Sequence, residues 1–168
     1  MVSELNVIEF KNKLTDLTVD GNPLLKGSPL ALLSINFSNK IFYGRLEKHE
    51  FYITKNANLL LTPFLISGEF KKEGKFTDVE YEISPLKFGY YWMKMYPIIT
   101  NTILLTIIIF NISEFPFEKM NLNFAIKFLL IFIALEAFLF SPLLYLKKSK
   151  IALERKFLKN FEIRNNYR

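Results

Sequence analysis

Residues Phe124–Leu146 read FAIKFLLIFIALEAFLFSPLLYL, an almost continuous apolar run interrupted near its middle by Glu136. A second block, Tyr90–Ile112, reads YYWMKMYPIITNTILLTIIIFNI. Each block has about 23 residues, so as a helix it is roughly 35 Å long and crosses a hydrocarbon core of about 30 Å. The pattern predicts two transmembrane helices rather than two buried core helices. A chain of 168 residues holds too little other apolar surface to cover both helices all round.

A short segment, Asn111–Asn121, joins the two blocks and reads NISEFPFEKMN. Such a short, partly polar connection containing Pro116 predicts an antiparallel helix hairpin. Pairing the outer ends of the blocks places Glu136 level with Thr100 and Asn101. A carboxyl at the bilayer centre costs about 3 kcal/mol, and protonation or polar partners normally neutralise it.

Glu136 therefore has two interpretations. In the first, its carboxyl hydrogen-bonds to Asn101 or Thr100 and fixes the two helices together. In the second, it belongs to a proton or ion relay, or lines a pore formed by several copies of the chain. Because a two-helix hairpin encloses no pathway of its own, the second interpretation requires self-association or a partner.

The basic residues are concentrated at the C-terminal end. Residues 147–168 hold eight Lys and Arg against two Glu, a net charge of +6, whereas the charges of residues 1–87 balance, as do those of 88–146. By the positive-inside rule, this tail and the N-terminal domain face the cytoplasm and the connecting segment lies outside. The sequence thus predicts a multi-pass protein of the cytoplasmic (inner) membrane with both termini cytoplasmic.

Aromatic and basic side chains flank the apolar blocks at their predicted cytoplasmic ends. Aromatic belts and snorkelling lysines are typical of the membrane interface. The predicted interface residues are Tyr90, Tyr91, Trp92, Lys94, Tyr96, Tyr145, Lys147 and Lys148.

Residues 1–87 are predicted to form a small β-rich domain. The stretch Phe42–Lys55 indicates a hairpin with residues 47–49 as its turn, and a second hairpin is predicted with its turn at residues 71–74, KKEG. Upstream, Ser28 and Pro29 either begin a short helix or belong to a loop.

The last predicted strand has a period of two. Thr77, Val79, Tyr81 and Ile83 alternate with the acidic residues Asp78, Glu80 and Glu82. Such alternation indicates a sheet with one covered face and one solvated face. The acidic stripe is then either a solvated strand face or a site for a cation or a partner.

The tail after Ser149 has helical periodicity. Its apolar residues, among them Leu153 and Phe157, fall on one side of a helical wheel, and the basic residues fall opposite. Those basic residues are Arg155, Lys156 and Lys159. The pattern predicts a basic amphipathic helix that lies on the anionic leaflet or against the protein's own sheet. Nucleic acid is not an expected partner, because aromatic residues do not interleave with the basic ones as stacking on bases requires.

The residue types needed for common catalytic centres are scarce. The chain has no Cys, a single His (His49, in a predicted turn) and six scattered Gly. A His-based triad, a cysteine nucleophile, a metal cluster and a phosphate-binding loop are therefore not expected, and neither is an enzyme or a cofactor.

Eight positions carry a resemblance to a known group of proteins. The pattern F-x-G, F-x-I, P-x-x-x-G and T-x-V is formed here by Phe42, Gly44, Phe51, Ile53, Pro63, Gly68, Thr77 and Val79, and two apolar blocks and the basic tail follow it. In this respect residues 40–160 resemble a loose group of small uncharacterised bacterial membrane proteins. The resemblance implies an architecture, in which a β-rich cytoplasmic domain precedes a two-helix membrane hairpin, and no activity.

The predicted fold class is an α+β membrane protein. It comprises a β-rich domain (1–87), a transmembrane hairpin (88–146, with spans at about 90–112 and 124–146) and a basic amphipathic tail (147–168). Two functions fit this architecture. One is a non-catalytic binding or accessory protein, for example an immunity protein against a membrane-acting toxin, whose partners are the lipid bilayer and an unidentified protein. The other is an oligomeric membrane effector or channel component that uses Glu136.

Overall fold

The computed structural model of the chain describes residues 1–58, 61–111 and 122–164. It is α+β and divides into two units. The first comprises Met1–Tyr90 and Lys147–Arg168, and the second comprises Tyr91–Leu146. Residues that the sequence assigns to a separate tail thus group with the N-terminal domain. The predicted connection between the apolar helices lies outside the described residues, apart from Asn111.

Within the described residues, the first unit is built on one sheet of seven strands. The strands are β1 (Val2–Ser3), β2 (Thr18–Asp20), β3 (Phe42–Glu47), β4 (Glu50–Lys55), β5 (Phe64–Glu73), β6 (Phe76–Pro85) and β7 (Ile163–Arg164). Their order in the sheet is β2-β3-β4-β5-β6-β1-β7. Only β2 and β3 pair in parallel among these strands. A long connection joins them, which we call the crossover segment (Gly21–Ile41). It contains the short helix α2 (Pro23–Lys26) and a 3₁₀ turn (Ala31–Ser34).

Both predicted hairpins are present, but their turns differ from the prediction. Glu47 pairs with Glu50, which leaves only Lys48 and His49 in the first turn. The second turn is Gly74–Lys75 and not residues 71–74, because pairing continues to the end of β5. Two-residue turns of this kind require positive φ, which Lys48 (41°) and Gly74 (60°) supply.

The alternation along β6 is confirmed. Thr77 and Val79 are fully buried, whereas Glu80 and Glu82 are exposed. One face of the sheet therefore carries the core of this unit and the other faces solvent.

A helix that was not predicted from the sequence, α1 (Val7–Leu17), covers the buried face. Asn6 begins it, since its side chain accepts from the backbone of Glu9 while the Glu9 carboxylate accepts from the Asn6 backbone. Phe10 is fully buried, and its ring centroid lies 5.2 Å from that of Phe70 and 5.0 Å from that of Phe161.

Two long helices follow the sheet, α3 (Lys87–Phe110) and α4 (Leu122–Asn160). Both are long and apolar enough to cross a membrane, and only 6% of the most apolar part of α3 and 11% of that of α4 is buried. α4 continues past the predicted end of its span at residue 146. A β-rich unit and two long apolar helices are, in outline, the architecture implied by the resemblance to small bacterial membrane proteins.

The last turns of α4 pack on the sheet. Leu153, Phe157 and Phe161 are buried, and the Phe157 ring lies 5.4 Å from Phe51 and 5.1 Å from Tyr81 between centroids. After α4 the chain adds β7 beside β1, and the Ser3 hydroxyl donates to the Phe161 carbonyl at 2.6 Å. The sequence predicted that the tail helix lies either on the anionic leaflet or against the protein's own sheet. The contacts of Leu153, Phe157 and Phe161 are those of a helix packed against the sheet.

Candidate functional sites

Glu136 lies on α4 among apolar residues, and the structure brings it to Asn101 of α3. Asn101 Nδ2 donates a hydrogen bond to Glu136 Oε2 at 3.2 Å. Both side chains are half-buried. The contact joins positions 35 residues apart and so links the two helices of the second unit.

Thr100 lies next to Asn101, but its hydroxyl bonds elsewhere. Thr100 Oγ1 donates to the Tyr96 carbonyl at 2.9 Å, and Thr102 bonds in the same way to the carbonyl one turn earlier. Such bonds satisfy a hydroxyl within its own helix. Of the two predicted partners of Glu136, the donor is therefore Asn101.

The predicted interface residues occur at the start of α3 and in the middle of α4. Tyr91, Trp92, Lys94, Lys147 and Lys148 are exposed, and Tyr90, Tyr96 and Tyr145 are half-buried. The Trp92 and Tyr96 rings are 6.4 Å apart between centroids. In the first unit, the Tyr90 ring meets Phe64 edge-on at 5.8 Å, which fixes the first turn of α3 to β5.

The basic residues predicted for the tail lie on the side of α4 away from the sheet. Arg155, Lys156 and Lys159 are exposed, while Phe157 between them is fully buried. The last part of α4 is thus amphipathic, with its apolar side in the core of the first unit.

The solvated face of the sheet carries a row of four glutamates. The strand register aligns Glu47 with Glu50, Glu50 with Glu69, and Glu69 with Glu80. Side chains directly opposite in a sheet are about 5 Å apart, and like charges at that spacing destabilise it. We call this set the glutamate row. The open depression beside it has a volume of about 460 Å³ and is lined by Glu50, Tyr52, Ser67, Glu69, Glu80 and Glu82, together with Gly68 and Tyr81.

Exposed partners offset part of this charge. Arg45 Nε lies 3.1 Å from Glu47 Oε1, and Lys71 Nζ lies 2.6 Å from Glu69 Oε1. The Tyr52 hydroxyl donates to the Glu50 carboxylate at 2.7 Å, and this hydrogen bond raises the pKa of Tyr52. Exposed ion pairs contribute only about 0–1 kcal/mol each. The row therefore remains a face of acidic character.

His49 lies in the predicted turn and is exposed. Its ring meets Phe70 edge-on at 5.8 Å. The part of the chain that the structure describes contains no group of three His, Cys, Asp or Glu side chains placed to hold a metal ion.

Comparison with protein-family models, curated proteins and solved structures finds no match to this chain. Its function must therefore be inferred from its own residues.

Sequence reasoning missed a buried cation in the crossover segment. Lys26 is 0% exposed, and its Nζ donates to the Ala57 carbonyl at 3.0 Å and to Asn58 Oδ1 at 3.3 Å. Nζ also lies 4.8 Å from the centroid of the Tyr43 ring. Burial lowers the pKa of Lys26, because the charged form loses its hydration. The only signal in the sequence is its place between Leu25 and Gly27, where a lysine stands alone in an apolar stretch.

An amide network continues from the Lys26 contact with Asn58. Asn36 and Asn56 exchange side-chain hydrogen bonds at 2.9 and 3.1 Å. Asn58 Nδ2 donates to the Asn36 carbonyl, and its Oδ1 accepts from Lys26. These bonds tie the crossover segment to the residues that follow β4.

Proposed function

We propose that this chain is a non-catalytic integral membrane protein that binds or assists another protein at the cytoplasmic surface of the inner membrane. In this proposal α3 and α4 cross the bilayer as a hairpin. The β-rich unit stays on the cytoplasmic side and carries the binding surface.

The observation that carries the proposal is the outward exposure of apolar side chains along both helices. Ile103 and Leu105 of α3, and Leu130 and Ile131 of α4, are each more than half exposed. In water, apolar surface costs about 25 cal/mol per Å². Lipid tails remove that cost, so lipid is the solvent that fits these helices.

Several polar side chains of α3 also suit a hydrocarbon environment. There, each polar group must find a partner within the protein. The Thr100 and Thr102 hydroxyls bond to their own helix, and Asn101 bonds to Glu136. Pro97 and Pro142 lie inside the helices, and proline is more frequent in membrane helices than in soluble ones.

Two features support the same side of the membrane for both ends of the chain. The first unit combines residues that precede α3 with residues that follow the apolar part of α4, since β1 pairs with β7. Such a unit requires an even number of crossings between its two parts. The net charge of +6 in residues 147–168 supports the cytoplasm as that side.

The glutamate row is the surface that we propose for partner binding. It is open to solvent, and its acidic character favours a partner that presents Lys or Arg. An immunity protein that protects its own cell against a membrane-acting toxin is one specific case. It is supported by the proposed location at the cytoplasmic surface of the inner membrane.

A photoreactive amino acid placed at Tyr52, beside the row, tests this proposal in intact cells. We expect it to cross-link to a distinct protein, and the cross-link to disappear when Glu50, Glu69 and Glu80 are all changed to Gln. The matched control is the exposed Ile8 on α1, away from the solvated face. The same cross-links from both positions, or none from Tyr52, would contradict a specific partner on this face.

A second candidate is an oligomeric membrane effector or channel component. The observation that favours it is Glu136, a carboxyl half-buried between helices whose other side chains are mostly apolar and exposed. The mass of the protein in mild detergent tests it. A closed ring of several copies would support the channel if the Glu136→Gln variant loses ion or proton conduction. A strict monomer would exclude the channel.

A further inference from the structure

The crossover segment buries two of its polar side chains and exposes several of its apolar ones. Its polar side chains Lys26 and Ser34 are buried, whereas Leu32 is 68%, Leu33 75% and Phe37 99% exposed. Three more of its apolar residues are exposed, namely Leu24, Leu30 and Ile35. Single exposed apolar residues are ordinary, but six of them within one segment of 21 residues are typical of an interaction surface.

Hydrogen bonds within the protein hold the backbone of the crossover segment in the conformation that exposes these apolar side chains. The amide network of Asn36, Asn56 and Asn58 holds the backbone beyond the 3₁₀ turn. At the start of the segment, Lys26 holds α2 in place through its hydrogen bonds to the Ala57 carbonyl and to Asn58 Oδ1. The segment therefore uses its polar groups for internal bonds and presents its apolar groups outward.

The segment also touches the start of α3. The Gly89 amide donates to the Gly27 carbonyl at 2.8 Å, and Gly27 packs so closely on the Leu86 side chain that a Cβ at this position would collide with it. Residues 86–89 are the point where the chain enters the first proposed span. The exposed apolar residues thus belong to a segment bonded directly to the membrane-entry turn.

The charge of the segment suits a lipid surface. Residues 21–41 include no Asp or Glu, so nothing in them repels anionic headgroups. Both of their lysines bond to backbone carbonyls of the protein, although Lys40 is exposed. Lys26 is buried, and Lys40 Nζ donates to the carbonyls of Thr15 and Thr18 at 2.9 and 3.1 Å. Inserting Leu32, Leu33 and Phe37 into the headgroup region would therefore bring no carboxylate of the segment to the anionic surface, which would attract the exposed Lys40.

We propose that the crossover segment is a third membrane contact, which inserts Leu32, Leu33 and Phe37 into the headgroup and upper acyl region of the leaflet beside α3. The proposal rests on membrane insertion of α3. Amphipathic surface segments bind in this way, with apolar side chains some 5–10 Å below the interface. The contact would fix the sheet against the bilayer in one orientation, so that the glutamate row is always presented in the same direction.

Quenching of tryptophan by brominated lipid tests this inference, since the chain has one Trp, Trp92. The protein is reconstituted in phosphatidylcholine and phosphatidylglycerol vesicles with bromine on the upper acyl chain. The test variant combines Trp92→Phe with Phe37→Trp, and a second combines Trp92→Phe with Leu33→Trp. The control combines Trp92→Phe with Phe76→Trp. Phe76 is also exposed, and it begins β6 roughly 30 Å from the end that leads into α3.

We expect bromine to reduce the emission of the Phe37→Trp and Leu33→Trp variants and to leave that of the Phe76→Trp variant unchanged. Quenching of wild-type Trp92 alone would overturn the inference and leave the proposed membrane insertion standing. Absence of quenching in all proteins, wild type included, would overturn both. If Phe37→Cys instead forms a disulfide between two copies and its Trp counterpart is unquenched, the surface is a self-association interface and the lipid inference is wrong.

Discussion

At the scale of single residues, the hydrogen bond between Asn101 and Glu136 joins α3 to α4. Hydrogen bonds between membrane helices contribute on average about 0.6 kcal/mol and at most about 1.7. We predict a coupling energy of about 1 kcal/mol between Glu136→Leu and Asn101→Leu in a double-mutant cycle, measured by unfolding in mixed detergents.

The conservative variant Glu136→Gln separates a structural role from a titrating one. It keeps an acceptor for Asn101 and removes the ionisable proton, so we expect it to retain the stability that Glu136→Leu loses. A coupling energy of zero would show that the hydrogen bond observed at 3.2 Å does not hold the helices together.

Lys26 leads to a prediction about pH. Its pKa lies below the ordinary value of 10.5 in the folded protein because burial removes its hydration. Between the folded and unfolded pKa values the unfolded chain binds more protons, so the contribution of Lys26 to stability rises with pH in that window. That contribution is complete only above about pH 10.5 and is lost as the pH falls through the folded value.

Denaturation of the wild type and of Lys26→Met between pH 7 and 10.5 checks this sign. We expect the difference in free energy of unfolding to shift in favour of the wild type as the pH rises. A difference that is constant, or that shifts in favour of Lys26→Met, would contradict the lowered pKa.

At the scale of elements, the last turns of α4 are part of the core of the first unit. We predict that Phe157→Ala costs about 3–5 kcal/mol of stability, because it removes a fully buried ring that packs on Phe51 and Tyr81. Lys156→Ala, at the exposed neighbouring position, should change stability by less than about 0.5 kcal/mol. Equal small effects of the two variants, seen by urea or thermal denaturation, would show that this part of α4 is not docked on the sheet.

The elements that sequence predicted best are those with a local pattern. The alternation in β6 and the long apolar runs of α3 and α4 are patterns of residues that are close together in the sequence. They can therefore be recognised without knowing which distant residues these elements contact. The capping pair of Asn6 and Glu9 at the start of α1 is also a local signal, although α1 was not predicted from it.

Other elements depend on residues far away in the chain. β1 and β7 have two residues each and depend on distant partners, since β1 pairs with β6 on one side and with β7 on the other. The second turn was misplaced because Lys71 pairs with Asp78 across the hairpin and the pairing continues to Glu73, so β5 extends into the expected turn. Of the candidate sites, the contact between Glu136 and Asn101 could be predicted from the sequence by aligning the ends of the two apolar blocks. The glutamate row could be recognised only from the strand register.

At the scale of the whole molecule, residues that precede α3 and residues that follow the apolar part of α4 form one folded unit. β1 and β7 are neighbours in the sheet, and the apolar unit 91–146 lies between them in sequence. If α3 and α4 are in lipid, residues 1–90 and 147–164 must share one side of the membrane. This requirement comes from the fold and is independent of the charge distribution.

Labelling of single cysteines is the most direct test of this arrangement, since the natural chain has none. Lys72→Cys and Lys159→Cys report the two parts of the β-rich unit, and Glu118→Cys reports the segment between the helices. In intact cells with a permeable outer layer, we predict that a membrane-impermeant maleimide labels only Glu118→Cys. Lys72→Cys and Lys159→Cys should react only after the inner membrane is opened. Labelling of either lysine position in intact cells, or recovery of the chain in the soluble fraction without detergent, would contradict the account.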